Sequence, residues 1–490
     1  MGEAFIVRRG GKAEEVLRTA VPNINFISAT TTSLTFTFKN NENAEVDLYY
    51  GTTTPPTTKI TLAANATSSN QTISGLNDTD TFDVYAYAIV TDPTSKKIKS
   101  EIVETQAQTL IPAPTITQVS KTTDSITFTV RNNSRVAADV TYGLTTPPTT
   151  TTLQLAANTT SVNQTISGLD DNTSYTVFAQ AKVAGFTDSA IASSSVTTDE
   201  PVAYTAATGG TTFEYDLEGK RYRSHTFTSN GTFEVTTAGN GDRNQVDYLI
   251  IAGGGGGGGV APFGYAGGGG AGGYRTTNGT SGANSSAQSK VVVTAQGYTI
   301  VIGAGGAGGP ASRTNGTNGG TSSALGISAS GGGGGGGGAE DENFNKVGNN
   351  ANNGGSGGGG GPNSNGGTGS SNQGFSGGGN NSIFGSGGGG ASSSGTSTSS
   401  GLGLSNILRN NTEERRGGGG GPSSNTANRF GADGGGNGGT PGSGNATAGA
   451  ANTGGGGGGQ SFINVGSTAR AGVAGGSGIV VIRYEIAPTI

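Results

Sequence analysis

The sequence predicts a mainly β protein: two β-sandwiches in tandem, followed by a β-scaffolded polyglycine-II helix bundle. Three observations predict it. A domain-length unit occurs twice before residue 200, as Tyr50-Gly51-Thr52-Thr53-Thr54-Pro55-Pro56 and again as Tyr142-Gly143-Leu144-Thr145-Thr146-Pro147-Pro148. Within each unit apolar residues alternate with period two, the mark of half-buried strands. Most of the 96 glycines lie beyond residue 240, yet apolar strand-like segments lead into and out of that tract.

Residues 1–20 are too short for a domain. Phe5-Ile6-Val7 reads as a single strand, either an attachment peptide docking on an assembly or a strand folded on its own chain. Residues 21–110 and 111–200 are the two sandwiches. Leu34, Phe36 and Phe38 form one inward face, matched by Ile126, Phe128 and Val130; Val46, Leu48 and Tyr50 form another. The strands are short, threonine-rich and separated by Asn, Asp, Gly and Pro. A second motif repeats with them, Asn70-Gln71-Thr72-Ile73-Ser74-Gly75-Leu76 and Asn163-Gln164-Thr165-Ile166-Ser167-Gly168-Leu169.

Residues 201–490 form the third domain. Phe213, Tyr215 and Leu217 alternate, and Asn230-Gly231 between two strand-like runs predicts a hairpin. These strands, with 246–251, 290–294, 298–302 and 479–484, make a β scaffold from which the glycine runs emerge. The runs fall at 253–259, 331–338, 357–361, 417–421 and 454–459. Other residues often recur every third position: Ala304, Ala307 and Pro310; Ala271 and Tyr274; Asn437, Thr440 and Ser443; Ala474 and Ser477. Three residues per turn is the period of the left-handed polyproline-II helix, which makes no internal hydrogen bonds. Its outward-pointing backbone groups can pair between neighbouring helices where no side chain intervenes, so pure glycine runs are expected as central rods and Gly-Gly-X segments as outer rods with one face to solvent.

Composition excludes several functions. There is no cysteine, so no disulfide or thiolate chemistry; one histidine cannot make a metal cluster. A net charge of −5 with 12% charged residues offers no basic surface for nucleic acid. No segment approaches the ~18 apolar residues of a membrane span. Ile250-Ile251-Ala252 running into glycines superficially matches a dinucleotide fingerprint, but Val260-Ala261-Pro262-Phe263 does not start a helix. No Gly-Lys-Ser/Thr ends a run, so a phosphate loop is absent too. His225 sits in a strand pattern, and Glu340-Asp341-Glu342 reads as solvated acids. No enzyme activity and no cofactor are expected.

Thr165-Ile166-Ser167-Gly168-Leu169 with Tyr175-Thr176-Val177 resembles the fibronectin type III signature. The resemblance implies a tyrosine corner at Tyr175, whose hydroxyl bonds the backbone upstream. Phe82 stands there in the first repeat, and both repeats lack the family's core tryptophan. Such domains act mostly as spacers. Phe233-Glu234-Val235, 246–252, 267–275 and 475–484 together resemble the glycine-rich domain of phage tail-fibre and adhesin proteins, and are similar to that of the anaplastic lymphoma kinase ectodomain. This resemblance implies a layered core of polyglycine rods whose connecting loops touch a host receptor, a cell-surface protein or glycan.

Large side chains have no space between rods and are expected at rod ends or on the surface. Aromatic residues and arginines most often anchor interfaces, so the receptor-contact candidates are Phe263, Tyr265, Phe344, Lys346, Phe375, Phe384, Leu404, Arg415, Arg416, Phe430 and Phe462. Their alternative role is to plug the bundle or pack on the scaffold. Ser405–Arg416 reads as a short helix, with Ser405 as N-cap and Arg409 facing Glu413. The functional expectation is a phage receptor-binding fibre or tip protein, joined to virion or tail proteins through its N-terminus. It would be made in the host cytoplasm, since Met1–Arg9 lacks the pattern of a secretory signal. A homo-oligomer fits the same reading. The alternative is a virion decoration or extracellular filament subunit without a specific receptor.

Overall fold

The computed structural model describes residues 5–9, 12–16, 18–425, 429–441, 445–462 and 468–488. Contacts divide them into two compact units, one ending at Pro201 and one starting at Val202. Phe5-Ile6-Val7 lies in the strand Phe5–Arg9, which runs antiparallel to Lys12–Val16.

The first unit contains two sandwiches of the same plan. In the first, the sheet Asn23–Ala29, Ser33–Lys39, Gln71–Ser74 faces the sheet Val103–Gln108, Thr81–Thr91, Val46–Gly51, Thr58–Leu62. Leu34, Phe36, Phe38, Val46, Leu48 and Tyr50 fill the space between, as the alternation requires. Ile126, Phe128, Val130, Val140 and Tyr142 do so in the second sandwich. The two repeated motifs meet in space: Tyr50 donates from its hydroxyl to the Gln71 amide oxygen at 3.1 Å, and Tyr142 does the same to Gln164 at 3.0 Å. The tyrosine corner is present in the second repeat, where the Asp170 N–H donates to the Tyr175 hydroxyl at 2.9 Å.

In the second unit, one antiparallel sheet runs in the order Thr211–Leu217, Lys220–Phe227, Ile479–Ile486, Gln245–Ile251, Tyr274–Thr276. A smaller sheet, Ala206–Thr208, Gly231–Thr237, Gly297–Ile300, packs on it through Phe233, Val235, Tyr248, Ile250, Val480 and Tyr484. Ile251 pairs with Ile479, so the glycine tract leaves and rejoins the scaffold on neighbouring strands.

The Asn230-Gly231 hairpin does not form. Lys220–Phe227 belongs to the larger sheet and Gly231–Thr237 to the smaller one, because Phe227 is buried between them and the chain crosses over. Asn230 instead accepts from the Ile302 N–H through its side chain at 2.8 Å. The tight turn is Glu218-Gly219, with both residues left-handed, joining Leu217 to Lys220. Ser405–Arg416 is not a helix either. Leu404–Asn406 pairs antiparallel with Glu414–Arg416, and Arg409 ion-pairs with Glu414 rather than Glu413. Leu408 is fully buried on the scaffold, and the Asn406 side chain bonds both the Leu408 N–H and Thr276, which fixes the loop against its helical preference.

The expected polyglycine-II helices do not register as helices. Among the described residues the helical turns are the 3-10 turns Gly241–Asn244 and Gly282–Asn284. The glycine segments are instead held by backbone hydrogen bonds from one segment to another, and the partners repeat every third residue. Gly253, Gly256 and Gly259 donate to the carbonyls of Gly320, Thr317 and Thr314; Gly254 and Gly257 donate to Gly476 and Val473; Gly255 and Gly258 donate to Gly270 and Gly267. Their carbonyls accept from three further stretches, through Gly332 and Gly335, Gly306 and Gly309, and Gly457. A Cβ on any residue of 253–259 or 331–338 would come within 3.0 Å of neighbouring backbone, which explains why no other residue type stands there. Ala304, Ala307 and Pro310 are exposed while Gly303, Gly306 and Gly309 are buried. Ala474 also faces solvent, but Ala271 and Tyr274 point inward and are fully buried, and Thr440 is buried as well. Ser443 lies outside the described residues.

Candidate functional site

The glycine segments end in two different environments. At the scaffold end, Leu249, Ile251, Tyr274, Ala391, Leu408, Ile479 and Val481 close an apolar cluster, with Leu404 against it. At the other end, beyond Gly259, the chain turns at 260–265 and meets the hairpin of Gly338–Glu340 with Lys346–Gly348 and the residues Ser461 and Phe462. Here several candidates come together. The Phe263 and Phe462 rings lie 5.4 Å apart, Tyr265 and Phe462 5.5 Å, and Tyr265 and Phe384 5.0 Å, edge-on. Tyr265 and Phe462 are 5% and 9% exposed and form the floor; Phe263 is 42% exposed and Phe344, at the hairpin tip, 84%. Burial, reinforced by the charge of Glu340, raises the Tyr265 hydroxyl above its ordinary range.

Backbone conformation sets this end apart. Phe263 and Phe344 have φ of 56° and 62°, in the left-handed region that bulky residues avoid. Elsewhere in the tract that conformation falls mostly on asparagine, at Asn284, Asn363, Asn372, Asn380, Asn411 and Asn452, and otherwise on Ala283, Leu325 and Asp433. Among the described residues no other aromatic one adopts it. The Phe344 turn is held by Asp341, whose carboxylate accepts from the N–H groups of Asn343 at 3.0 Å and Asn345 at 2.8 Å. The Asn345 bond holds the Asp341 carboxyl below the usual range.

The remaining candidates, Lys346 apart, lie elsewhere. Leu404 packs on the scaffold. Arg415 binds Asp433 at 2.9 Å and Arg416 binds Glu414 at 2.7 Å, so both staple the 404–416 hairpin rather than reach the aromatic end. Phe375 is half-buried, its N–H donating to Gly390 and its carbonyl accepting from Gly357. Phe430 is exposed at the side, beside Ser400. Lys346 belongs to the aromatic end but is largely covered, ion-paired with Glu340. Of the three acids expected to be solvated, Glu340 and Asp341 thus have structural partners and Glu342 is exposed; among the described residues no cluster of acidic and histidine side chains is grouped to hold a metal. No helix of the described chain is long and apolar enough to cross a membrane.

A second polar centre lies in the scaffold. Arg483 and Asp247 form a buried ion pair at 2.6 Å, joined by Thr277 and Lys290. His225 is fully buried; its Nδ1 bonds the Gly209 carbonyl at 2.6 Å and its Nε2 the Tyr484 hydroxyl at 3.0 Å. Both explain strand packing.

Residues 228–485, more than half the chain, match the family model described as a glycine-rich domain. No curated protein matches. Among solved structures, the chain is similar to a two-domain fibronectin type III segment of chicken tenascin, at 18% identity over 36% of this chain and all of that one, with a TM-score of 0.25. The central fibronectin III array of RIM-binding protein matches at 14% identity over 42% of this chain and 79% of that one, with a TM-score of 0.15.

Proposed function

The chain belongs to the glycine-rich domain family, and on that premise we propose that it is a receptor-binding protein of a phage tail fibre or tip, attaching the virion to a bacterial surface protein or glycan. In this reading the glycine segments are left-handed polyglycine-II rods. Partners and burial that repeat every third residue support it. Rods bonded on all sides make a stiff post; the two sandwiches act as spacers, and the N-terminal segment joins the tail. The mechanism is binding.

The observation that carries the proposal is the pair Phe263 and Phe344, exposed aromatic rings on left-handed turns at one end of the glycine segments. A bulky residue in this conformation costs roughly 1–2 kcal/mol against a relaxed one, and such strain clusters where function maintains it. The test is binding of fluorescently labelled full-length protein to a panel of bacterial strains. Saturable binding to some strains, lost in a Phe263→Ala/Phe344→Ala variant that keeps its unfolding temperature, supports the proposal. Protein that self-assembles and binds no cells belongs to the alternative class, a structural decoration or filament subunit.

A further inference from the structure

Lys346 stands at the centre of the aromatic end and is held from every side. Its ammonium group donates to the Phe263 carbonyl at 3.1 Å and ion-pairs with the Glu340 carboxylate. It also lies 5.9 Å from the ring centroid of Phe263, 5.8 Å from that of Tyr265 and 5.9 Å from that of Phe462. An ammonium within about 6 Å of a ring centroid is attracted to its negative face. The side chain is 20% exposed, so the charge is mostly withdrawn from solvent.

These contacts belong to three separate parts of the chain: the excursion at 260–265, the hairpin excursion around 338–348 and the residues Ser461 and Phe462. Between them the backbone links are few. Ala261 donates to the Gly338 carbonyl at 3.0 Å and Phe462 to that of Gly264 at 3.2 Å. Glycine segments fix where the excursions at 260–265 and 338–348 begin, but not how their tips are set. Lys346 supplies that missing tie, because one compact cation with three donors can satisfy a carbonyl, a carboxylate and ring faces together. Resting on the receptor-binding reading, we infer that Lys346 is a positioning residue: it fixes Phe263 and Phe344 relative to each other and does not itself contact the receptor.

Two features separate this role from ordinary packing. The same hairpin carries the clamp and the most exposed ring: Glu340 and Lys346 pair across its strands, and Phe344 caps the turn between them. And one of the ties that converge on the ammonium is to the Phe263 carbonyl, so it acts on the turn that presents the second ring.

The experiment compares full-length wild type with Lys346→Met, which keeps the stem, and Lys346→Arg, which keeps the charge. Amide exchange is read over residues 260–265, 338–348 and the glycine run 331–337, beside cell binding on the same strain panel. The expected result for Lys346→Met is at least tenfold faster exchange in both tip segments and unchanged exchange in the glycine run. Cell binding should weaken at least tenfold, and Lys346→Arg should restore both most of the way. Unchanged tip exchange in Lys346→Met overturns the positioning role, as does faster exchange with undiminished cell binding. If wild type binds no strain, the receptor-binding reading fails, and tip exchange alone still decides whether Lys346 holds the two excursions together.

Discussion

The side-chain oxygen of Asn318 accepts a hydrogen bond from the backbone N–H of Gly334 at 3.0 Å, and three residues along Asn315 does the same for Gly337 at 3.1 Å. The amide nitrogens of the same two side chains donate onward to the carbonyls of Asn353 at 3.0 Å and Asn350 at 2.7 Å. Asn350 and Asn353 repeat the arrangement towards Asn365 and Thr368, at 2.9 Å and 2.8 Å. Asparagine side chains therefore stand in for peptide groups at the side of the glycine bundle, in the same three-residue step.

Asn318→Ala should leave the Gly334 N–H without its partner. The expected loss is about 1–3 kcal/mol, the cost of a polar group left unpaired, and exchange at the Gly334 amide should accelerate selectively. Asn318→Asp keeps the acceptor and loses the donor, so it should protect Gly334 better than alanine does. Equal exchange at Gly334 in all three proteins would count against the ladder.

Much of the fold was legible because its signals are local. Leu34, Phe36 and Phe38 alternate within one strand, and Ala304, Ala307 and Pro310 step by three within one segment. Asn230-Gly231 was not, since the same turn signal serves a chain that returns to its own sheet and one that crosses to the facing sheet. Ser405–Arg416 carries helical preferences that burial of Leu408 overrides. At the site, the candidate residues were visible by type, but their grouping was not. Phe263, Lys346 and Phe462 meet only through the packing of distant glycine segments, whereas Arg416 finds Glu414 in its own strand. The asparagines at 315 and 318, 349 and 352, and 350 and 353 carry a three-residue spacing that marks the ladder in the sequence itself.

Stability of the second unit should fall on mild acidification because of His225. Nδ1–H donates to Gly209, Nε2 accepts from the Tyr484 hydroxyl, and that oxygen accepts from the Ala207 N–H at 3.1 Å, so the neutral ring satisfies the network. Burial holds its pKa below 6.5, opposed by the Gly209 bond. The unfolded chain then takes up the proton first. Stability is full above about pH 6.5 and declines as pH falls below it towards the depressed folded value. Urea unfolding between about pH 7.5 and 5 checks this, with His225→Gln expected to flatten the dependence.

Asp247→Ala should strand Arg483, whose guanidinium is buried and bonded to that carboxylate through two nitrogens, at 2.6 and 3.2 Å. Removing one partner of a buried pair costs about 3–5 kcal/mol. Because the pair joins the strand before the glycine tract to the strand after it, calorimetry should show the loss in the transition of the second unit and leave the first unit unchanged.

Phe344→Asn should separate stability from binding. The ring is largely exposed and its backbone left-handed, a conformation asparagine accepts. The unfolding temperature should stay level or rise, since up to about 1–2 kcal/mol of strain is relieved, while cell binding is lost. A variant that binds as wild type does would remove Phe344 from the contact surface.

Gly334 lies within the run 331–338, where a Cβ would press into the Gly316 carbonyl and reach the Asn352 side-chain nitrogen at 3.1 Å. Ala307 already turns its side chain to solvent. The direct measurement is calorimetric unfolding of full-length Gly334→Val beside Ala307→Ser. Parted segments leave buried N–H and C=O groups unpaired at about 1–3 kcal/mol each, so Gly334→Val should lower the transition of the second unit by several such losses and speed exchange throughout 331–338. Ala307→Ser should stay within about 0.5 kcal/mol of wild type. If both variants unfold with wild type, the glycine segments do not form a bonded bundle and cannot hold up the aromatic end.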